Sequence, residues 1–191
     1  MSTSLLKYLL VIPHRIAYKT VAPETRDLIL SDVNEMNLRL KRNKSLYYYL
    51  VKYSSYRNLF YYRVGVKKSR WLKLFLKEDP LFYICSTVQH IGRNAFVLNH
   101  PYGTIINAKS IGDHFTVSQL TTLGNKAPGR NDLTPTIGNN VIVGANVNII
   151  GNITVGDNVV IGAGSVVVKD IPCNCCVAGN PAKVIKHQTE G

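Results

Sequence analysis

The second half of the chain repeats every six residues. Aliphatic side chains fall at Ile105, Ile111, Val117 and Leu123, and again at Ile137, Val143, Ile149, Val155, Ile161 and Val167. Glycine follows at Gly112, Gly124, Gly138, Gly144, Gly156 and Gly162, and four residues after the aliphatic position comes a mostly small or β-branched residue such as Thr121, Val141, Val147 or Ser165. Neither a helix of 3.6 residues per turn nor a plain strand of period two keeps that spacing. A short strand followed by a sharp turn does, with Gly, or the Asn of GNN and GDN, tolerating the turn's backbone angles. Three hexads close a triangular coil, and stacked coils bury their aliphatic rows in a parallel β-solenoid. Grouping by threes gives four coils: 91/97/105, 111/117/123, 137/143/149 and 155/161/167.

In such a scaffold, function is expected where the period breaks. Eight residues separate Val97 from Ile105, spanning LNHPYG, and fourteen separate Leu123 from Ile137, spanning GNKAPGRNDLTPT. Stacking in register is expected to bring both breaks to one edge. His100, inside the first break, is the candidate for chemistry. His114 sits in an intact hexad and reads as a turn residue, and His14, His90 and His187 carry no assigned role.

The 191 residues, 46% of them hydrophobic, suffice for one domain with a helical appendage and a genuine core. The division is expected at 1–82 and 83–191. Net charge is +12, unevenly placed: residues 1–80 hold 16 basic against 6 acidic side chains, and residues 81–191 hold 7 against 5. Charge alone admits nucleic acid, acidic lipid or an anionic substrate as partner. The first part reads as helices, with Pro23 and Glu24 opening PETRDLILSDVNEMNLRLKR, followed by aromatic-rich SLYYYLVKY, YRNLFYYRV and SRWLKLFLKE. No RNA- or DNA-binding module surrounds those aromatics, so no nucleic-acid partner is expected. Packing against the solenoid and neighbouring subunits is the first reading for them, and contact with an acidic membrane the second. The opening MSTSLLKYLLVIPHRIAYK is broken by Lys7 and Pro13, too short to span a bilayer and unlike a signal peptide, which places the chain in the cytoplasm or peripherally at the inner face of the membrane. Cys85, Cys173, Cys175 and Cys176 lack the paired spacing of a zinc site and read as reduced structural thiols, so no metal is expected.

The stretch IGNNVIVGANVNIIGNITVGDNVVIGAGSVVVKDIPCNCCVAGNPAKVI resembles the hexapeptide-repeat acyltransferases, whose fold is a left-handed parallel β-helix. NHPYGTIINAKSIGDHFTVSQLTTLGNK resembles their serine acetyltransferase branch and its relatives in polysaccharide gene clusters. The resemblance, over residues 88–187, implies a mainly β fold with a left-handed coil and an N-terminal helical region. It also implies a homotrimer with acetyl-CoA, the acyl donor, in the groove between neighbouring subunits. It makes His100 the general base. Asn99 stands where the serine enzymes carry an aspartate that holds the amino acid, and in the loop Arg130 is shifted and Thr134 replaces a histidine before Pro135. The carboxylate clamp of the serine enzymes is therefore incomplete. Asn99, Tyr102, Arg130 and Thr134 are the candidate substrate-binding residues. On the donor side, Gly124 offers a backbone N–H to the oxyanion, and Ala145 and Ala163 match the small residues that line the pantetheine arm. Lys126, Lys169, Lys183 and Lys186 are candidate phosphate partners. The acid that orients the base in the family has no counterpart in FYICS, which leaves Asp113 or a backbone carbonyl.

Acetyl transfer from a thioester to a hydroxyl requires the hydroxyl proton to leave as oxygen attacks, and a neutral imidazole with an ordinary pKa of about 6.5 suits that task. One histidine suffices without a covalent acyl-enzyme. The expected function is an acetyl-CoA-dependent O-acetyltransferase acting on a sugar hydroxyl in surface polysaccharide biosynthesis, with serine O-acetylation as the alternative. From other classes stand a zinc enzyme on the same scaffold, to which His90, His100 and His114 would belong, and a non-catalytic trimeric assembly protein.

Overall fold

The computed structural model describes residues 3–99, 101–130 and 132–187, without the side chains of 3–8 and 96–99. The chain divides into two compact units, Met1–Pro80 and Leu81–Gly191.

The first unit holds helices α1 (Thr3–Thr20), α2 (Pro23–Arg39), α3 (Leu46–Lys52), α4 (Ser54–Val64) and α5 (Val66–Leu72). Pro13 lies inside α1 rather than ending it. A proline there costs about 3 kcal/mol through its missing N–H, and burial of Val11, His14 and Ala17 on the same helix opposes that cost. Helix α5 starts ahead of the expected SRWLKLFLKE and stops at Leu72. Gly65 separates it from α4 at φ 87°, a left-handed angle that suits glycine after a helix end.

Four aromatic residues of this unit turn inward: Tyr49, Tyr56, Phe60 and Tyr61 are each 3% exposed or less, while Trp71 and Phe75 face out. Tyr49 meets Tyr56, and Phe60 meets Tyr61, with ring centres 6.0 Å apart in each pair. The neighbouring arginines are also internal. Arg63 donates to both oxygens of Asp32 at 3.1 and 3.2 Å, a buried pair in which loss of one partner costs about 3–5 kcal/mol. Arg57 donates to the carbonyls of Lys77 and Leu50 at 2.6 and 2.8 Å. These groups hold the helices together and are not available to stack on bases.

The second unit is a coil of short strands: β1 (Phe82–Ile84), β2 (His90–Ile91), β3 (Phe96–Asn99), β4 (Thr104–Ile106), β5 (Ser110–Ile111), β6 (Thr116–Ser118), β7 (Thr122–Gly124), β8 (Thr136–Ile137), β9 (Ile142–Val143), β10 (Asn148–Ile150), β11 (Thr154–Val155), β12 (Val159–Ile161), β13 (Val166–Val167), β14 (Cys175–Gly179) and β15 (Ala182–His187). From β1 to β10 each strand pairs in parallel with the strand three positions on, and β12 pairs in parallel with β14, which makes three faces. The β1 face runs β1-β4-β7-β10-β13, the β2 face β2-β5-β8-β11, and the β3 face β3-β6-β9-β12-β14, closed by antiparallel β15. The core is three aliphatic rows: Ile91, Ile111, Ile137 and Val155; Val117, Val143, Ile161 and Val177; and Ile106, Leu123, Ile149 and Val167, all 3% exposed or less. Each such side chain contributes about 1.5–3 kcal/mol by leaving water.

Two details differ from the hexad reading. Ile106, not Ile105, is the inward residue of the first coil: it pairs with Leu123 and is 1% exposed, while Ile105 faces out at 44%. The displacement follows a bulge in β3, where three steps from Phe96 to Asn99 oppose two from Thr116 to Ser118. Second, glycine and asparagine divide the work of the turns. At the corner before the β3 face the left-handed positions are Asn94, His114, Asn140, Asn158 and Asn174, with φ 54–57°. The glycine after the aliphatic residue serves close approach instead, for a Cβ on Gly112 or Gly138 would come within 2.6–2.8 Å of backbone in the next coil.

The two breaks also part company. The first occupies the corner from the β3 face to the β1 face, and the second, residues 125–135, the corner from the β1 face to the β2 face. They flank the β1 face from opposite edges rather than sharing one.

Candidate active site

The β3/β1 corner is built from a column of stacked turns. Gly103, Leu120, Asn146 and Gly164 occupy its left-handed positions at φ 65°, 59°, 56° and 72°. The residue before each accepts from the turn of the following coil: Leu120 N–H donates to Tyr102 O at 3.0 Å, Asn146 N–H to Gln119 O at 2.9 Å, and Gly164 N–H to Ala145 O at 2.9 Å. Tyr102, Gln119, Ala145 and Ala163 therefore form one column. Ala145 and Ala163 sit one coil apart, and Tyr102, 47% exposed, stands at the foot.

Beside it on the β3 face runs a second row. Asn99 pairs with Ser118, which continues in register through Gly144 and Gly162 to Ala178, and Ala178 pairs with Lys183 of β15. At roughly 4.8 Å per strand step, this row is about 24 Å long. Its middle has no side chain beyond a methyl group, because a Cβ on Gly144 would meet Ala163 N at 2.8 Å and one on Gly162 would meet Ala178 Cβ at 3.1 Å. The result is a track of small residues with Asn99 at one end and an exposed lysine at the other. His100, the residue expected to act as base, lies outside the described residues.

The remaining candidates gather at the β1/β2 corner, across the β1 face. Gly124 ends β7, and its carbonyl accepts from Gly151 N–H at 2.9 Å. Lys126 and Lys169 are exposed there. Arg130 binds Asp132 through two hydrogen bonds of 2.8 and 2.7 Å, which holds the Asp132 carboxyl below its usual range although both groups are in solvent. Arg130, a candidate substrate-binding residue of that incomplete clamp, thus holds the chain's own carboxylate. Thr134 is 2% exposed, so its expected contact with substrate is not what the loop presents.

Asp113 belongs to the third corner. Its Oδ1 accepts from Arg93 N–H at 2.7 Å, and the same rung recurs as Asn139 Oδ1 accepts from Asp113 N–H at 2.9 Å and Asp157 Oδ1 from Asn139 N–H at 2.6 Å. Asp113 is therefore a turn strut on the corner before the β3 face, away from the corner that follows Asn99. Cys173 ends this ladder, with its sulfur 3.3 Å from Asp157 N–H, and Cys175 is wholly buried. Burial pushes the Cys175 and Cys85 thiols up, away from the thiolate a nucleophile needs. His114 holds an asparagine's place in the outer ladder, with its Nε2 3.1 Å from Asn94 Nδ2. Among the described residues no three of His, Cys, Asp or Glu converge as a metal site.

Gln119 and Leu120 were not singled out in the sequence, yet they complete the column between Tyr102 and Ala145. Leu120 stands where later coils carry Asn146 and Gly164, a correspondence that the insertion between Leu123 and Ile137 hides from a fixed count; leucine is unusual at positive φ.

Residues 134–169 match the family described as bacterial transferase hexapeptide (six repeats). The chain is 43% identical over 96 residues to a serine acetyltransferase of Synechococcus elongatus, a match covering 50% of this chain and 39% of that protein. It is 47% identical over 95 residues to the putative colanic acid biosynthesis acetyltransferase WcaB of Escherichia coli strain K12, covering 49% and 57%. Among solved structures, serine acetyltransferase from Brucella abortus strain S19 in complex with coenzyme A superposes with a TM-score of 0.71 at 26% identity, over 88% of this chain and 70% of that one. The matches to the two curated relatives span less than two thirds of either. The hexapeptide-repeat, serine acetyltransferase-like character expected of the sequence is what these comparisons return.

Proposed function

We propose that this chain is an acetyl-CoA-dependent O-acetyltransferase whose acceptor is a sugar hydroxyl of a surface polysaccharide or its precursor, working in the cytoplasm. The observation that carries the reading is the small-residue row from Asn99 to Lys183, placed where a bulge interrupts an otherwise regular ladder. Such a track suits an extended pantetheine arm, with its amides on the exposed edges of the turns and its phosphates at Lys183 and Lys186. The thioester would then lie at the Asn99 end. His100 takes the proton from the acceptor hydroxyl as its oxygen attacks the thioester carbonyl, and the thiol of CoA leaves. Tyr102 and Asn99 flank that position, and Asn99 has no carboxylate with which to grip an amino group.

The residues at the β1/β2 corner, Gly124, Lys126, Arg130 and Lys169, lie across the β1 face from this row. A cleft between neighbouring copies of a trimer of left-handed β-helices unites the two groups, with Gly124 N–H serving the oxyanion from the second copy. The separation of the groups within one chain supports that assembly. The similarity to WcaB favours a sugar acceptor, and the similarity to serine acetyltransferases keeps serine as a second reading.

Release of CoA thiol from acetyl-CoA, followed with L-serine and with polysaccharide repeat-unit sugars as acceptors, tests the reading. Faster release with a sugar, abolished by His100→Ala, is the expected result. Comparable turnover with serine overturns the acceptor, and full activity in His100→Ala overturns the base. Failure to bind acetyl-CoA at all leaves the trimeric assembly protein as the better account.

A further inference from the structure

Residues 66–77 of the helical unit read VKKSRWLKLFLK, with five Lys or Arg and no acid. Ser69 and Leu72, each 5% exposed, anchor α5 to its unit. Away from that anchor Val66 is 60% exposed and Trp71 71%, and in the turn that follows α5 Leu74 is 71% exposed and Phe75 44%. Lys67 and Arg70, interleaved with them, are exposed as well. Large apolar side chains gathered on a surface mark a partner rather than solvent.

We infer that this segment docks on the surface of an anionic lipid bilayer, with Trp71, Leu74 and Phe75 entering the headgroup boundary and Lys67 and Arg70 meeting lipid phosphates. Charge complementarity selects this occupant. Four of the six acids in residues 1–80 are engaged within the unit, Asp32 with Arg63, Glu35 with Arg39, Glu78 with Lys73, and Asp79 with Ser54. The surface left around α5 is basic. A nucleic acid would use the cations and Trp71 but has no use for Leu74 and Val66, whereas an interfacial segment combines basic, aromatic and aliphatic side chains. Tryptophan in particular favours the headgroup level. No helix among the described residues is long and apolar enough to cross a membrane, so the contact is one of lying on the surface.

Trp71 is the single tryptophan of the chain and reports on its own environment. With the full chain, vesicles of phosphatidylcholine containing phosphatidylglycerol should shift its emission to the blue, and lipids brominated near the headgroup should quench it. Pure phosphatidylcholine should do neither, and about 1 M salt, where the Debye length is about 3 Å, should reverse the shift. Lys67→Gln and Arg70→Gln should each weaken vesicle partitioning roughly fivefold, with helical content unchanged because both side chains are exposed. Unshifted emission with no co-flotation at low salt overturns the inference, as does equal binding to neutral vesicles. Emission that is blue-shifted without lipid and depends on protein concentration assigns the patch to a second copy, and a shift with oligonucleotide alone assigns it to nucleic acid. Either also overturns it. Lipid binding is read without any acyl acceptor, so its failure leaves the acetyltransferase reading untouched.

Discussion

The side chain of Leu120 lies over Gly103: a Cβ built on that glycine would stand 2.8 Å from Leu120 Cδ2. The pair caps the corner beside Tyr102, and Leu120 holds φ 59° where later coils use Asn146 and Gly164. A left-handed angle costs a leucine roughly 1–2 kcal/mol, and at 49% exposure this side chain recovers little of it by burial. Backbone strain of this kind is kept where a site needs it. Leu120→Asn is expected to stabilise the protein by about 1 kcal/mol, seen as a higher urea midpoint at constant slope, and to lower kcat for acetyl transfer. A variant that gains stability and keeps full activity would show that the leucine serves no site.

Lys183 heads the small-residue row opposite Asn99, exposed on β15. A charge-assisted hydrogen bond to a phosphate contributes about 1.5–3 kcal/mol. Lys183→Ala should therefore raise KM for acetyl-CoA about tenfold or more with little change in kcat. An acetyl-CoA lacking its 3′-phosphate should show a smaller difference between the two proteins. Equal loss with both donors points to another phosphate, and no loss with either removes Lys183 from the donor site.

Gly138 and Asn140 sit two residues apart and answer to different demands. A Cβ on Gly138 would come within 2.8 Å of the Gly156 carbonyl carbon, backbone that cannot yield without moving a coil. Gly138→Ala is expected to cost about 1–3 kcal/mol. Asn140→Gly preserves the left-handed angle and loses only the exposed 2.9 Å bond to Asn158, so its cost should stay near 0.5 kcal/mol. Denaturant midpoints of the two variants should fall in that order. The reverse order would mean that turn angle, not coil spacing, governs this corner.

His14 is wholly buried, with Nε2 3.0 Å from the Tyr61 hydroxyl, which itself donates to the Leu76 carbonyl. Burial pushes its pKa down to about 4, outweighing the Leu10 carbonyl, which favours the cation. The unfolded chain binds this proton near pH 6.5, so folding favours the neutral ring. Its contribution is complete above pH 6.5 and is lost as the pH falls toward 4, at up to about 1.4 kcal/mol per pH unit. Stability of the helical unit measured across that window should drop accordingly, and His14→Phe should flatten the profile. An identical slope in the variant would place the acid sensitivity elsewhere.

Much of the solenoid was legible in the sequence. The inward rows Ile111/Ile137/Val155 and Leu123/Ile149/Val167 follow from period alone, since a six-residue repeat admits one stacking that buries every aliphatic position. The inward place of the first coil falls on Ile106 rather than Ile105 because a bulge leaves no mark in composition, only in the pairing of Phe96 and Asn99 with Thr116 and Ser118. The small-residue column at Ala145 and Ala163 could be inferred from their eighteen-residue spacing. Its continuation through Gln119 and Tyr102 could not, because the insertions that flank them shift the count.

The sequence by itself determined the coil, its aliphatic rows and the chemistry its breaks could carry, since each depends on spacing along one strand of chain. Tertiary structure decided that the two breaks fall on opposite edges of the β1 face, why Gly138 is glycine, that Arg130 already holds Asp132, and which face of α5 meets solvent. Those depend on distances between residues far apart in the chain, set by the stacking of coils and the packing of helices, and no local period records them.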